Sequence, residues 1–524
     1  MNEWLNQNIL GVFVLHVDGG MVHPGMSPLW VAIVLMVMLM LLVYGFVQRH
    51  HLHAYTMSFT QLPLLGKYFQ IMTRTPWLLL VFKVVSVGLF LLVIAAGLFG
   101  SVIPERNIAT MLTWTLWWTG VIIAIMFVGS AWCAVCPWDS LASWLVKRRL
   151  WRRGAQTSSL GLRVPVWLRN VWPATFMFIG LTWLELGLGI TTSPYATAML
   201  ALIMVAMATV SLAIFERKAF CRYACPVGRT IGAYSDLAPV KLSPINPDIC
   251  ADCTSLECFH GTQEVEPCPT HLVMGYLKTN TYCTSCGACG ISCPQQNVNW
   301  RWQLNRVSDI AEQRINYSEA SFILILVALT SFHGVTMLPI WESLMQKLAI
   351  LFNDQGQLLL SFSTGMAVFI SLLVLLYTLT VKLTYRLSDR SIAQEKLFSL
   401  IALPLLPLAF TYHIAHNLTH LVRESIGMGG VFSNPLGEGA LPMSMSELHF
   451  RHLHPLIPDF ITFGLQAGLL ILGFWWAIRL LLPRMQMLQT PLNYRFVAIP
   501  ATIFLSIVCL LNLWLLMQPM VMRM

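Results

Sequence analysis

The chain has 524 residues, 56% hydrophobic and 10% charged, with a net charge of +9, where soluble domains carry about 25% charged residues. So few charges cannot coat a globule of this size. That excludes a soluble enzyme, a disordered chain and a small disulfide scaffold, and makes lipid the main solvent. The basic excess needs no nucleic-acid partner, because Lys and Arg gather in the cytoplasmic loops of membrane proteins.

A spanning helix needs about 20 apolar residues. Residues 1–27 form an N-terminal segment with no basic run before the first apolar stretch, so no cleavable signal peptide is expected. Ten apolar stretches follow, at 28–48, 76–100, 108–131, 165–189, 194–215, 318–341, 356–381, 397–420, 458–482 and 496–520. With the N-terminus outside, 26 of the 32 Lys and Arg fall on the inner side. The positive-inside rule then selects an N-out/C-out chain. His50, His51 and His53, beside Arg49, read as an interfacial anchor at the inner end of the first span.

Twelve of the 13 cysteines lie between Cys133 and Cys293, on the predicted cytoplasmic side, where metal binding is favoured over disulfides. Cys509 sits alone in an apolar run and reads as a buried small hydrophobe. Cys133 and Cys136 end the third span as W-C-A-V-C-P, and Cys221 and Cys225 follow the fifth as F-C-R-Y-A-C-P. The matching contexts, with one residue gained, suggest an internal repeat. Three readings of these four thiols stay open: a further metal centre, two dithiol redox pairs, or a helix stop with inert thiols.

Residues 246–300 read as a bacterial-type ferredoxin module. Cys283, Cys286, Cys289 and Cys293 are spaced C-x2-C-x2-C-x3-C-P, and Cys250, Cys253, Cys258 and Cys268 precede them as C-x2-C-x4-C-x9-C-P. Closely spaced thiolates wrap one [4Fe–4S] cube, and in two-cluster ferredoxins the fourth Cys of a set reaches the other cube. Exchange gives Cys250, Cys253, Cys258 and Cys293 to one cluster, and Cys283, Cys286, Cys289 and Cys268 to the other. Ligation within each set is the alternative. His260 and His271 flank these ligands and receive no role.

The expected fold is therefore an all-α polytopic membrane protein. A five-helix domain (28–245), the cytoplasmic two-[4Fe–4S] module and a C-terminal five-helix domain (301–524) follow one another. In the last, His413, His416 and His420 share one face of the eighth span, near its outer surface, and His333 lies at similar depth in the sixth. Ionisable groups at such depth are functional candidates. His333, His413, His416 and His420 could hold a haem b. Alternatively, Glu185, His413 and His416 could serve quinol chemistry, which needs a proton acceptor. The outer loop 421–457 carries Met443, Met445, Glu447, His449, His452 and His454, a set that could bind copper or dock a periplasmic partner. No P-loop, dinucleotide fingerprint or nucleophile elbow is found.

Two Cys-Pro motifs at helix ends followed by a two-cluster module resemble the NapH-type membrane iron–sulfur proteins and the membrane half of NosR-type proteins, over residues 76–300. The chain differs in its C-x2-C-P first pair and its five additional spans. The resemblance implies a bacterial inner-membrane protein that transfers electrons between the quinone pool, or a cytoplasmic donor, and a periplasmic oxidoreductase or c-type cytochrome. A membrane protein that reduces copper to mature a metalloenzyme is the alternative.

Overall fold

The computed structural model describes residues 22–47, 55–58, 65–147, 159–304, 307–354, 356, 358–390, 392–488 and 492–521. His50, His51 and His53 lie outside these. Among the described residues nine helices are long and apolar enough to cross a membrane. They are α1 (Pro28–Val47), α2 (Pro76–Phe99), α3 (Ile108–Val128), α6 (Pro194–Ile214), α8 (Tyr317–Thr336), α9 (Leu359–Leu387), α10 (Leu406–Glu424), α11 (Asp459–Gln486) and α12 (Ile499–Met517). Between them, α4 (Pro137–Lys147), α5 (Trp172–Gly187) and α7 (Pro226–Ser235) complete the first half.

The predicted span 165–189 is the one that differs. Its helix α5 has 16 residues, about 24 Å at 1.5 Å per residue, short of a hydrocarbon core of about 30 Å. The segment around it still runs the length of α6 in the opposite direction. Leu160 and Leu162 donate to Ala213 and Ile214 at the C-terminal end of α6. Thr197, near its N-terminus, donates to Ile190 at 2.9 Å. A 3-10 turn at Val166–Leu168 and another at Ile190–Thr192 make up the missing length. Among the described residues, then, nine helices have the length of a span and α5 with its flanking turns runs beside α6. The short antiparallel pairing of β1 (Val22–His23) with β5 (Met520–Val521) brings the two described ends together.

Burial sorts the helices. The most apolar window of the α10 region is 94% buried, that of α2 only 11%. Thus α10 is the axis of the bundle and α2 a lipid-facing stave. Arg484 fixes the entry to this axis, donating to the carbonyls of Leu400, Ile310, Ala311 and Gln313. Four charge-assisted bonds compensate the burial of its guanidinium.

The cysteine-rich segment 246–297 sits on one end of the bundle. Strands β2 (Tyr55–Ser58), β3 (Val240–Pro244) and β4 (Val298–Leu304) form an antiparallel sheet in the order β2-β4-β3, with Val240 opposite Trp302. The α8 N-terminus carries a capping box between Asn316 and Glu319, worth about 1 kcal/mol. Glu319 also accepts from Tyr282 at 2.6 Å, tying the cysteine segment to α8.

Candidate functional site

The two helix-end cysteine pairs are one device built twice. After α3, Gly129 turns the chain at φ 56°, a left-handed value that suits glycine. Cys133 lies in the helical turn Trp132–Val135, and Cys136 precedes Pro137, the first residue of α4. After α6, Cys221 lies in a π turn, Phe220–Ala224, and Cys225 precedes Pro226, the first residue of α7. The residue gained in the second motif is absorbed by that wider turn, where Cys225 N–H bonds Phe220 O at 2.8 Å. Proline suits the first helical position because no N–H is needed there. Cys225 Sγ caps α7, accepting from Gly228 N at 3.2 Å.

These four thiols meet in the interior. Burial pushes Cys133 up to about 12 and Cys225 up to about 11, and raises Cys136 and Cys221 well above the ordinary thiol range. Asp139 Oδ1 stands 3.9 Å from Cys221 Sγ, and its other oxygen is 2.5 Å from Lys218 Nζ. Arg229 is within electrostatic reach of Cys133 and Cys225. Buried thiolates need cationic compensation. A four-thiol donor set suits an iron–sulfur cluster, so the residues fit the group.

The ferredoxin-like cysteines separate into two groups of four. Cys250, Cys253, Cys258 and Cys293 line one cavity of about 430 Å³. Cys268 lies near Cys283 and Cys289, with Cys286 beside both. Ligand exchange between the two sets would draw on these neighbours, and Cys258 also lies near Cys268 and Cys289. Among the described residues no three His, Cys, Asp or Glu groups close to the spacing of a single metal ion. Thiolates around a cube stand wider apart than that.

Backbone and side-chain N–H groups point at the sulfurs. Leu272 N meets Cys268 Sγ at 3.3 Å and Ser285 N meets Cys283 Sγ at 3.4 Å. Asn297 touches one sulfur of each motif, its backbone N at Cys293 Sγ and its Nδ2 at Cys250 Sγ, each 3.4 Å. Such bonds favour the more negative, reduced cluster. Asn297→Leu is therefore expected to lower the potential of the centre at Cys250, measured by EPR-monitored redox titration. Ser130 bridges the helix-end and module sets, bonding Cys283 O at 2.6 Å and Ser285 Oγ at 2.8 Å. Cys133 lies near Cys283, and Cys289 near Cys258, so the three sets stand in sequence from the bundle outward. His271 is lowered to about 4 by burial and then by Arg217. His260 packs edge-on against Phe259.

A second cavity of about 430 Å³ lies within the bundle. At one end are Cys136, Pro137 and Trp138, and elsewhere in its wall stand Glu185, His333, His413 and His416. Phe82, Val85 and Leu89 of α2 line it while remaining 55%, 54% and 44% exposed, which opens its flank to lipid. An aromatic chain crosses it: His413 to Trp118 (5.5 Å between centroids), Trp118 to Trp117 (5.8 Å), then Trp132 (5.5 Å) or Trp138 (6.0 Å). Trp117 and Trp118 lie in a π-helical stretch, Met111–Trp118, that lines this cavity; such wide turns are frequent at functional sites.

Of the predicted histidines, His413 and His416 are 5% and 4% exposed, enclosed by neighbouring helices because α10 is the axis of the bundle. His413 Nδ1 lies 3.2 Å from Tyr234 Oη. His333 Nε2 lies 3.6 Å from Glu185 Oε2. His420 Nδ1 is 2.7 Å from Glu424 Oε1, and Thr115 donates to Glu424 Oε2 at 2.5 Å. His416 packs on Tyr412 and His420, and its Nδ1 is buried without a hydrogen-bond partner. In the loop 421–457, Glu447 is paired with Arg106 at 2.5 Å and Arg451 at 2.8 Å. His454 stacks on Phe450. The side chains of His449 and His452 lie outside the described residues.

Thiol sets on one end of a helical membrane bundle define the class: this is an iron–sulfur electron-transfer protein. The comparisons agree with it. The family described as a 4Fe-4S binding domain matches twice, at residues 110–155 and 197–242, once over each helix-end cysteine pair. YccM of Escherichia coli (strain K12), whose name proposes a role in electron transport, is 35% identical over 83 residues. That stretch is 16% of this chain and 21% of the relative, so the chain spans about a fifth of that protein's length. No solved structure matches the chain.

Proposed function

We propose that this protein is an inner-membrane quinol-oxidising electron-transfer protein, N-out and C-out, with its thiol end in the cytoplasm. The basic residues favour that orientation, and a reducing compartment suits twelve clustered cysteines. The observation that carries the reading is the cavity, which has Cys136 at one end, the Glu185–His333 pair in its wall and an open flank at α2. An apolar quinol can enter there directly from lipid.

In this reading Trp117 and Trp118 pack against the quinol ring, while Glu185 and His333 accept its protons, as general bases held within the wall. Asp139, Lys218 and Arg229 hold the helix-end thiols in a charge-balanced pocket, and Ser130 keeps that pocket against the module. When bound, iron–sulfur clusters at the three sets supply one-electron carriage between the Cys136 end and the module surface. A cytoplasmic donor or acceptor would dock at the module; a periplasmic oxidoreductase or c-type cytochrome would meet the outer loop 421–457. The copper-reducing alternative draws on the same loop, but its Glu447 is held in ion pairs. A haem b between His333 and His413 would take His333 from Glu185.

Quinol-dependent bleaching of the iron–sulfur absorbance in membranes tests the reading. Wild-type membranes are expected to bleach with duroquinol, and Glu185→Gln to slow this by about 100-fold, the scale of a lost general base. Bleaching unchanged in Glu185→Gln, or absent in wild type, overturns it. A positive pyridine-haemochrome spectrum would move the histidines to haem ligation instead.

A further inference from the structure

A smaller cavity of about 100 Å³ lies beside the first and shares Glu185, His333 and His416 with it. Its remaining ionisable lining is Glu105, His420, Glu424 and Arg451. The two chambers differ in kind. The first is walled by aromatic and aliphatic side chains; the second collects carboxylates and imidazoles from four parts of the chain. Its volume accommodates several waters, each needing about 10–15 Å³. His416 faces both chambers, with a ring nitrogen buried and unpartnered. On the outer-loop side, Arg451 lines it and pairs with Glu447, which also binds Arg106.

We propose that this chamber is the proton outlet of the quinol site. Glu424, positioned by His420 and Thr115, takes the proton from the Glu185–His333 pair and passes it to water under the outer loop. The inference rests on the quinol reading of the larger cavity. It also gives the polar constellation of the outer half a task that copper binding and partner docking do not.

The chemistry balances. Each quinol breaks two O–H bonds and becomes a quinone, losing two electrons and two protons. The electrons reduce two one-electron iron–sulfur centres of this chain. The indoles of the wall accept no proton, and His413 is engaged by Tyr234; the groups that line both chambers, among them the carboxylate of Glu185 and the imidazole of His333, carry the protons out. Glu185 and His333 line both chambers, so a proton on either already faces the second. Glu424 lines that chamber too, with one carboxylate oxygen on His420 and the other on Thr115.

The test uses the full-length, cluster-loaded protein in proteoliposomes, with duroquinol as donor, a pH indicator on each side and the iron–sulfur absorbance followed in parallel. Glu424→Gln is expected to slow bleaching and proton appearance on the outer-loop side together, by at least about tenfold. Its solvent deuterium isotope effect should rise, and its pH–rate profile should lose an ionisation. Glu424→Asp, which keeps a carboxylate, should recover most of the rate. Duroquinone binding, read by quenching of the cavity tryptophans, should stay as in wild type, which separates a lost proton step from a collapsed site.

Wild-type kinetics in Glu424→Gln, or protons emerging on the module side, overturn the outlet. If Glu185→Gln is slow and Glu424→Gln is not, the quinol reading stands and the outlet alone fails. If wild-type protein shows no duroquinol bleaching, both fall.

Discussion

Cys136→Ser is expected to abolish quinol-dependent reduction of the module while leaving the module reducible by dithionite. Cys136 is the helix-end thiol that lines the bundle cavity, and of its three companions, Cys133, Cys221 and Cys225, Cys133 lies near Cys283 of the module. Removing one thiolate from a set of four should release about four iron atoms per chain, the content of one [4Fe–4S] centre. The remaining sets lie farther from the cavity and keep all their ligands. The variant should thus separate two populations in one spectrum: absorbance that dithionite bleaches and duroquinol does not. Cys221→Ser should behave identically, since both repeats supply the same centre. Iron loss with quinol bleaching intact would show that electrons reach the module by another route. Unchanged iron would return the four thiols to the dithiol or helix-stop readings.

The parts legible in the sequence are those governed by short-range rules. Hydropathy located the nine long helices, and Cys-x2-Cys and Cys-Pro spacing located every thiol set, because ligands in tight loops must be near neighbours in the chain. The repeat was visible too, and its extra residue has a local cause, the π turn at Phe220–Ala224. What sequence patterns missed depends on packing between distant segments. Periodicity placed His413, His416 and His420 on one face of α10 but could not say that other helices surround that face. Trp118 beside His413, Ser130 beside Cys283 and Thr115 beside Glu424 are separated by roughly 150 to 310 positions. Each is an ordinary apolar or small polar residue of its own segment. Asn297, four residues after Cys293, was within reach of motif reading as a possible sulfur donor. Span 165–189 shows the opposite limit: an apolar run of the right length in which only 16 residues are helical, the rest being turns.

Cys293→Ala tests the grouping of the module's ligands and carries an effect as large as the first. Cys293 follows Cys289 by four positions, yet it lines the cavity of Cys250, Cys253 and Cys258. The reason is local. Gly287, at φ 73°, starts the short helix Ala288–Ser292, and Cys293 leaves that helix in an extended conformation. A residue at a helix exit points away from ligands in the preceding loop. Cys268 makes the reciprocal move, its carbonyl anchored by Arg217 Nη1 at 3.0 Å and its sulfur lying near Cys283. If exchange holds, Cys293→Ala and Cys253→Ala lose the same centre and leave the same EPR spectrum. Cys286→Ala and Cys268→Ala lose the other. Under ligation within each set, Cys293→Ala would instead match Cys286→Ala, so the comparison decides by which spectra coincide. Exchange also predicts a difference in function. Without the centre at Cys250, quinol should still reduce the part of the module next to Ser130. Transfer to a soluble acceptor should stop, because the cavity of Cys250, Cys253 and Cys258 is the one at the exposed edge, beside Asp252 and Ile249.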